Sequence, residues 1–162
     1  MWLPDQVFKT VISSTPLISI DLVVRNEKNE VLLGKRLNAP AKGFWFVPGG
    51  RVQKDEILDD AFTRLIKEEL GTEVAIKRSE ANFLGVYEHF YEENVFDDTA
   101  TTHYIVLGYE IQLHQNQVAS LPKIQHEDYM WMTSMQILNE LMVHKYSKEY
   151  LHKNLVTNKE WV

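Results

Sequence analysis

Cysteine is absent from the chain. No disulfide can staple it, so its stability has to come from a core, which 162 residues are long enough to bury as one domain spanning 1–162. The absence fits a cytoplasmic protein better than a small secreted scaffold. Long apolar runs are missing as well, and no stretch approaches the roughly 20 apolar residues that a membrane span needs. The opening MWLPDQVFKTVISSTPLISI has no basic segment ahead of an unbroken apolar core, so it does not read as a signal peptide. Positive charge is scarce: the formal net charge is -6, and the longest basic runs are the pairs Lys35-Arg36 and Lys77-Arg78. A general nucleic-acid-binding surface is thereby excluded. An acidic chain still binds polyphosphates where a divalent cation and a few placed arginines supply the charge.

What is present is a regular alternation of local patterns. Residues 5–14 carry Val7, Phe8, Val11 and Ile12 at helical spacing, and Pro16 stops the helix. LISIDLVVRN predicts a strand, NEKNE a turn and VLLGKR a second strand. FWFV reads as a short aromatic strand ended by Pro48-Gly49-Gly50, a segment expected to break the ladder. Residues 57–70 form the best helix, with Gly71 as its stop. ANFLGVYEHFY, HYIVLGYEIQL and DYMWM predict further strands, EENVFDDTAT a loop, 134–142 a helix and 147–162 another. The economical architecture is α+β, a mixed β-sheet with helices packed against it.

The helix at 57–70 raises a question of chemistry. On a wheel of about 100° per residue, Leu58, Ala61, Phe62, Leu65, Ile66 and Leu70 share one apolar arc, and Glu69 falls near its middle. Glu68 lies at the edge, where pairing with Arg64 at i,i+4 accounts for it as a surface acid. Glu69 is harder to place, because an unpaired carboxylate against an apolar face is costly unless protonated, paired or metal-bound. Either the last turn rotates and Glu69 reaches water, or a hard cation such as Mg2+ takes it, together with amide and carbonyl oxygens. Gly49 and Gly50 suit the second reading, since a backbone without side chains can turn a carbonyl to a cation or admit a phosphate.

These residues resemble the Nudix signature, G-x5-E-x7-R-E-U-x-E-E-x-G-U with U a bulky aliphatic: Gly50, Glu56, Arg64, Ile66, Glu68, Glu69 and Gly71 match at fixed spacing. The resemblance implies a Nudix fold, a mixed β-sheet sandwiched between α-helices, and metal-dependent hydrolysis of a nucleoside diphosphate linked to another group. Thr72 replaces the final aliphatic residue, a minor departure. Leu65 replaces the first glutamate of the core, so one of the carboxylates that ordinary members cluster there is missing, and a single-metal site is inferred.

That loss resembles one subgroup, the GDP-mannose mannosyl hydrolases, and the likeness runs through STPLISIDLVV, LGKR, GFWFVPGGRVQKDE, GVYEHFY, TTHYIVLG and QHEDYMW. It implies water attack at the sugar C1 with inversion, releasing GDP and mannose. It further implies one Mg2+ per site, with Mn2+ a possible substitute, held by the Gly49 carbonyl, Glu69 and Gln125. His126 is implied as the general base, and Arg36 and Arg51 as the charge facing the diphosphate. Asp21 is implied to contact mannose hydroxyls, a buried structural hydrogen bond being the rival reading. His89 and Tyr104 either line the pocket or pack within strands, and Arg64 either touches the diphosphate or braces the helix. The segment 1–16 is implied to contribute to a homodimer and, through Trp2, Leu3 and Phe8, to the base pocket, ordinary packing being the alternative. The partner expected is GDP-mannose or a related GDP-hexose, with neither nucleic acid nor membrane. Attack at phosphorus giving GMP and a sugar 1-phosphate, or a non-catalytic nucleotide-sugar-binding module, are the competing functions.

Overall fold

A computed structural model of the chain describes residues 3–71, 76–96, 100–118, 120–123 and 125–156, the last few of these by their backbone alone. Helix α1 (Asp5–Ser14) follows Pro4 and ends where Thr15 turns extended. Strands β1 (Leu17–Arg25) and β2 (Val31–Arg36) are joined by a turn in which Asn26 Oδ1 accepts from the Lys28 and Glu30 N–H groups, both at 2.9 Å. Next come β3 (Trp45–Phe46), β4 (Gly49–Arg51) and α2 (Leu58–Leu70), the last stopped by Gly71 in the left-handed conformation at φ 59°. Strands β5 (Asn82–Tyr91), β6 (Thr102–Gln112) and β7 (His126–Met132) precede helices α3 (Ser134–Asn139) and α4 (Lys145–Val156).

The sheet runs β3-β2-β1-β6-β5, with β4 added to β1 and β7 to β2; β1 and β6 are parallel, and the other pairs antiparallel. Alternate residues of β1 point to opposite faces. Ile20, Leu22 and Val24 pack with Phe62, Leu65, Ile66 and Leu70 of α2, while Val23 packs with Tyr146, Tyr150 and Leu151 of α4. The expected α+β sandwich is therefore present, with a core on each side of the sheet.

Several local expectations are corrected. Pro48-Gly49-Gly50 does not end the ladder: Ile20 pairs with Gly50 and Asp21 with Gly49. A Cβ at position 49 would lie 2.5 Å from the Ile20 carbonyl oxygen, so the absence of a side chain is what permits this pairing. The aromatic strand keeps only Trp45–Phe46, and the helix at 134 stops at Asn139 because Val143 instead bridges to Trp45. The final helix starts early, at Lys145, and the expectation for 157–162 lies outside the described residues. The strand read as DYMWM begins at His126.

The feature that builds a site is a fork. Strand β1 meets β2 at the Arg25 and Val31 end; towards Leu17 its partner on that edge becomes β4, while β2 turns to β3. On its other edge β2 pairs with β7, and the register shifts between Gly34, which faces Tyr129, and Arg36, which faces His126. Two steps on β2 thus match three on β7, a bulge that brings His126 and Tyr129 to one face.

Candidate active site

Glu69 is 2% exposed, on the α2 face that carries Phe62, Leu65, Ile66 and Leu70. The helix does not rotate to free it. Leu65, one turn earlier, lies directly on β4: a Cβ at Gly50 would sit 2.6 Å from Leu65 Cδ2. Strand β4 meets Glu69 through Gly49. The bonds from Leu22 N–H to Pro48 O, 2.8 Å, and from Val52 N–H to Ile18 O, 2.9 Å, fix the ladder parity. By that alternation Gly49 turns its own N–H and C=O away from β1. The Gly49 N–H is hydrogen-bonded to the Glu69 carboxylate. Burial pushes the Glu69 carboxyl up from 4.5 to about 7; Arg36 opposes this, Glu68 and Asp21 add to it, and the Gly49 N–H lowers it.

His126 enters from β7 at 1% exposure. Its ring lies against Gly34, where a Cβ would come within 2.4 Å of Cδ2. Nδ1 is 3.1 Å from the Tyr129 hydroxyl and 3.8 Å from Glu69 Oε2, while Nε2 is buried with no hydrogen-bond partner among the described residues. Burial first, and Arg36 second, hold the imidazole down from 6.5 to about 4. The ring is therefore neutral near pH 7, and its approach to Glu69 is not an ion pair.

Asp21 comes from β1, buried, and accepts a hydrogen bond from the Tyr150 hydroxyl at 2.6 Å. Burial raises its carboxyl from 3.8 to about 7 against the pull of Tyr150 and Arg36. Its Oδ1 lies beside Gly49, where a Cβ would approach to 2.7 Å. Arg36 donates from Nε to Pro40 O at 2.9 Å and sits 5.9 Å from the centre of the Phe46 ring. Its charge is felt by Asp21, Glu69, His126 and Tyr104. Burial pushes the Tyr104 phenol up, with Arg51 and Arg36 opposing and Asp21 adding.

Arg51 lies 3.9 Å from the centre of the Phe8 ring, which connects α1 to the site. Burial is the main cause of the lowering of its guanidinium below the ordinary value. Leu3 is exposed ahead of α1, and Trp2 lies outside the described residues.

Two candidates, Arg64 and His89, are engaged elsewhere, and a third, Gln125, adjoins His126 at the start of β7. Arg64 donates from Nε and Nη2 to both oxygens of Glu56, at 2.7 and 2.8 Å, from Nη1 to Glu68 at 2.9 Å and from Nη2 to the Arg51 carbonyl at 2.9 Å. Those bonds brace α2 against the loop before it. His89 is buried in an aromatic cluster, stacked on Tyr146 at 4.0 Å, and burial holds its imidazole down to about 3. Gln125 is exposed immediately before β7, its carbonyl accepting from the Leu37 N–H at 3.1 Å. Sequence reasoning did not single out Tyr129 or Tyr150. The first lies inside the QHEDYMW stretch, but only the bulge aims it at His126; nothing in the local pattern marks the second.

No group of three or more His, Asp or Glu side chains positioned to hold a metal occurs among the described residues. A cation here must draw on Glu69, on carbonyl and amide oxygens and on water, a donor set suited to Mg2+ rather than to zinc. Buried Glu69 and the outward-turned carbonyl of Gly49 fit such an ion. Protons compete for the same carboxylate. Mg2+ should therefore raise the melting temperature by more at pH 8 than at pH 5.5, read by thermal unfolding. Equal increments at the two pH values would remove Glu69 from the ligand set.

Comparison with known proteins agrees with this geometry. The family model described as NUDIX domain matches residues 15–153. The low-salt glycan biosynthesis protein Agl8 of Haloferax volcanii is 41% identical over 116 residues, covering 72% of this chain and 71% of its own. An ADP-ribose pyrophosphatase of Methanocaldococcus jannaschii is 39% identical over 72 residues, 44% of this chain and 40% of its own. Among solved structures, the MutT protein of Methanosarcina mazei Go1 superposes with a TM-score of 0.69 at 25% identity, over 91% of this chain and 99% of that one. The fold and site thus define a class of hydrolase that generally uses a divalent metal to act on nucleoside diphosphate derivatives. The chain belongs to the Nudix family.

Proposed function

We propose that the protein hydrolyses GDP-mannose, or a closely related GDP-hexose, to GDP and the free sugar by water attack at the sugar C1 with inversion. The observation that carries this reading is Leu65, packed on Gly50 at the position where the family signature has a glutamate, which leaves Glu69 as the one buried acid of α2. A site with fewer carboxylates is less suited to gathering several cations for attack at phosphorus. The buried, neutral His126 beside Glu69 supplies a base instead. The glycan-biosynthesis name of the Haloferax volcanii relative is in keeping with a nucleotide-sugar substrate.

In the proposed mechanism the Gly49 carbonyl, Glu69 and Gln125 hold one Mg2+, with Mn2+ as a substitute. When bound, the ion supplies charge that neutralises the departing diphosphate. Arg36 and Arg51 add bidentate donors to the same charge. Asp21, fixed by Tyr150, meets sugar hydroxyls, and Tyr104 closes the pocket between Asp21 and the arginines. His126 Nε2 takes a proton from water as the water oxygen bonds to C1; the C1–O bond breaks, and GDP leaves with its electron pair. The proton then passes from the ring to solvent. The proposal includes a cytoplasmic homodimer in which residues 1–16 contribute to the base pocket, the Phe8 contact with Arg51 being the link described above.

The test is hydrolysis of GDP-mannose with Mg2+ in 18O-labelled water. Label in mannose is the expected result. Label in GMP or mannose 1-phosphate would move the attack to phosphorus, and no turnover of any GDP-hexose would favour a binding module.

A further inference from the structure

We infer that Tyr129 is a positioning residue that fixes the tautomer of His126 and so selects Nε2 as the proton-accepting atom. The inference rests on the proposed role of His126 as the base. The Tyr129 hydroxyl has a single hydrogen, and it lies 2.6 Å from the Pro122 carbonyl oxygen, which can only accept. That hydrogen is therefore committed to Pro122. What Tyr129 offers His126, at 3.1 Å from Nδ1, is an oxygen lone pair. Nδ1 must carry the ring hydrogen and donate it.

A second oxygen reinforces the assignment. Glu69 Oε2 stands 3.8 Å from the same Nδ1, so the ring turns this nitrogen towards two acceptors. The opposite tautomer would set a nitrogen lone pair against both oxygens and bury an Nε2–H that has no acceptor among the described residues. With Nδ1 protonated, Nε2 holds the free lone pair, as the proposed base requires.

The arrangement is held from two sides. The bulge between Gly34 and Arg36 brings Tyr129 and His126 to one face. Pro122 lies against the end of α2, where a Cβ at Gly71 would come within 3.1 Å of its ring. The helix that carries Glu69 thus also backs the residue that anchors Tyr129.

The test combines Tyr129→Phe, which keeps the ring and removes the hydroxyl, with nitrogen NMR of 15N-histidine-labelled protein in Mg2+. In the wild-type protein His126 should show a protonated Nδ1 and a lone-pair Nε2. In Tyr129→Phe the spectrum should shift towards a mixture of tautomers. There kcat for GDP-mannose should fall about 10-fold to 100-fold, while KM and Mg2+ affinity stay within about twofold. A wild-type His126 protonated at Nε2 overturns the inference outright, whether or not the variant folds. An unchanged spectrum in Tyr129→Phe, or a loss carried by KM or Mg2+ affinity in place of kcat, overturns it as well. His126→Gln separates this inference from the reading beneath it. If that variant keeps its turnover, the base assignment fails and the inference falls with it, even where the spectrum is as expected.

Discussion

Replacing Glu69 with glutamine should cut Mg2+-dependent turnover by about a hundredfold to a thousandfold and yet raise the melting temperature of the metal-free protein. Both effects follow from one observation, a carboxyl that is 2% exposed and pushed from 4.5 to about 7 by burial. Glutamine keeps the shape and an oxygen but removes the charge that the fold has to bury and that a cation would neutralise. Below about pH 4.5 the acid is neutral in folded and unfolded chains alike, and the substitution changes little. Above about pH 7 the wild-type fold must hold a buried anion, which at about 1.4 kcal/mol per pKa unit costs on the order of 3 kcal/mol. The stability advantage of the variant should therefore grow between pH 5 and pH 8, as measured by thermal unfolding in a chelator.

His89, His126 and His144 are held down to about 3, 4 and 4. They act in the opposite direction, stabilising the fold above their ordinary value of 6.5 and losing that contribution as pH falls towards the folded values. Being shared by both proteins, they largely cancel in the difference. A metal-free variant less stable than wild type at pH 8 would show that Glu69 is a structural acid, and undiminished turnover would remove it from the site.

The second large effect belongs to a residue with no side chain. Gly34→Ala should lower turnover by about a hundredfold and destabilise the fold by roughly 1–3 kcal/mol. The new Cβ would lie 2.4 Å from Cδ2 and 2.5 Å from Cγ of His126, inside the rigid part of the ring rather than at a flexible end. The ring cannot yield easily, being 1% exposed and tied through Nδ1 to Tyr129. Because the three atoms nearest to that Cβ all belong to His126, the stability cost should largely vanish when the same substitution is made in His126→Ala, a double-mutant cycle that isolates the contact. If the cost persists there, the strain lies in the backbone of β2. If Gly34→Ala turns over normally, the position of the His126 ring does not govern the reaction.

The sequence by itself determined most of the local elements, though not all of their bounds, and the unusual acid. Helical spacing placed Leu58 to Leu70 and set Glu69 in the apolar arc, and the fold buries it as that arc required. The departure at Leu65 was equally legible, since one missing charge in a regular pattern needs no partner to be seen. The alternatives left open at Asp21, Arg64 and His89 were of another kind: an acid in an apolar strand, an arginine on a helix and a histidine in a β-run look alike whether they bind a ligand or a neighbour. Helical spacing had already offered Glu68 to Arg64, and only the tertiary structure gave the other contacts, Tyr150 for Asp21, Glu56 for Arg64 and Tyr146 for His89.

The strand pairing of Gly49 and the role of Tyr129 were out of reach for a sharper reason. A glycine after proline reads as a break until a neighbouring strand is close enough to need the missing Cβ. In an unbroken strand, residues three apart face opposite sides, so His126 and Tyr129 would point away from each other. One extra residue opposite β2 reverses that. Register is a property of two strands together, and no single stretch of sequence carries it.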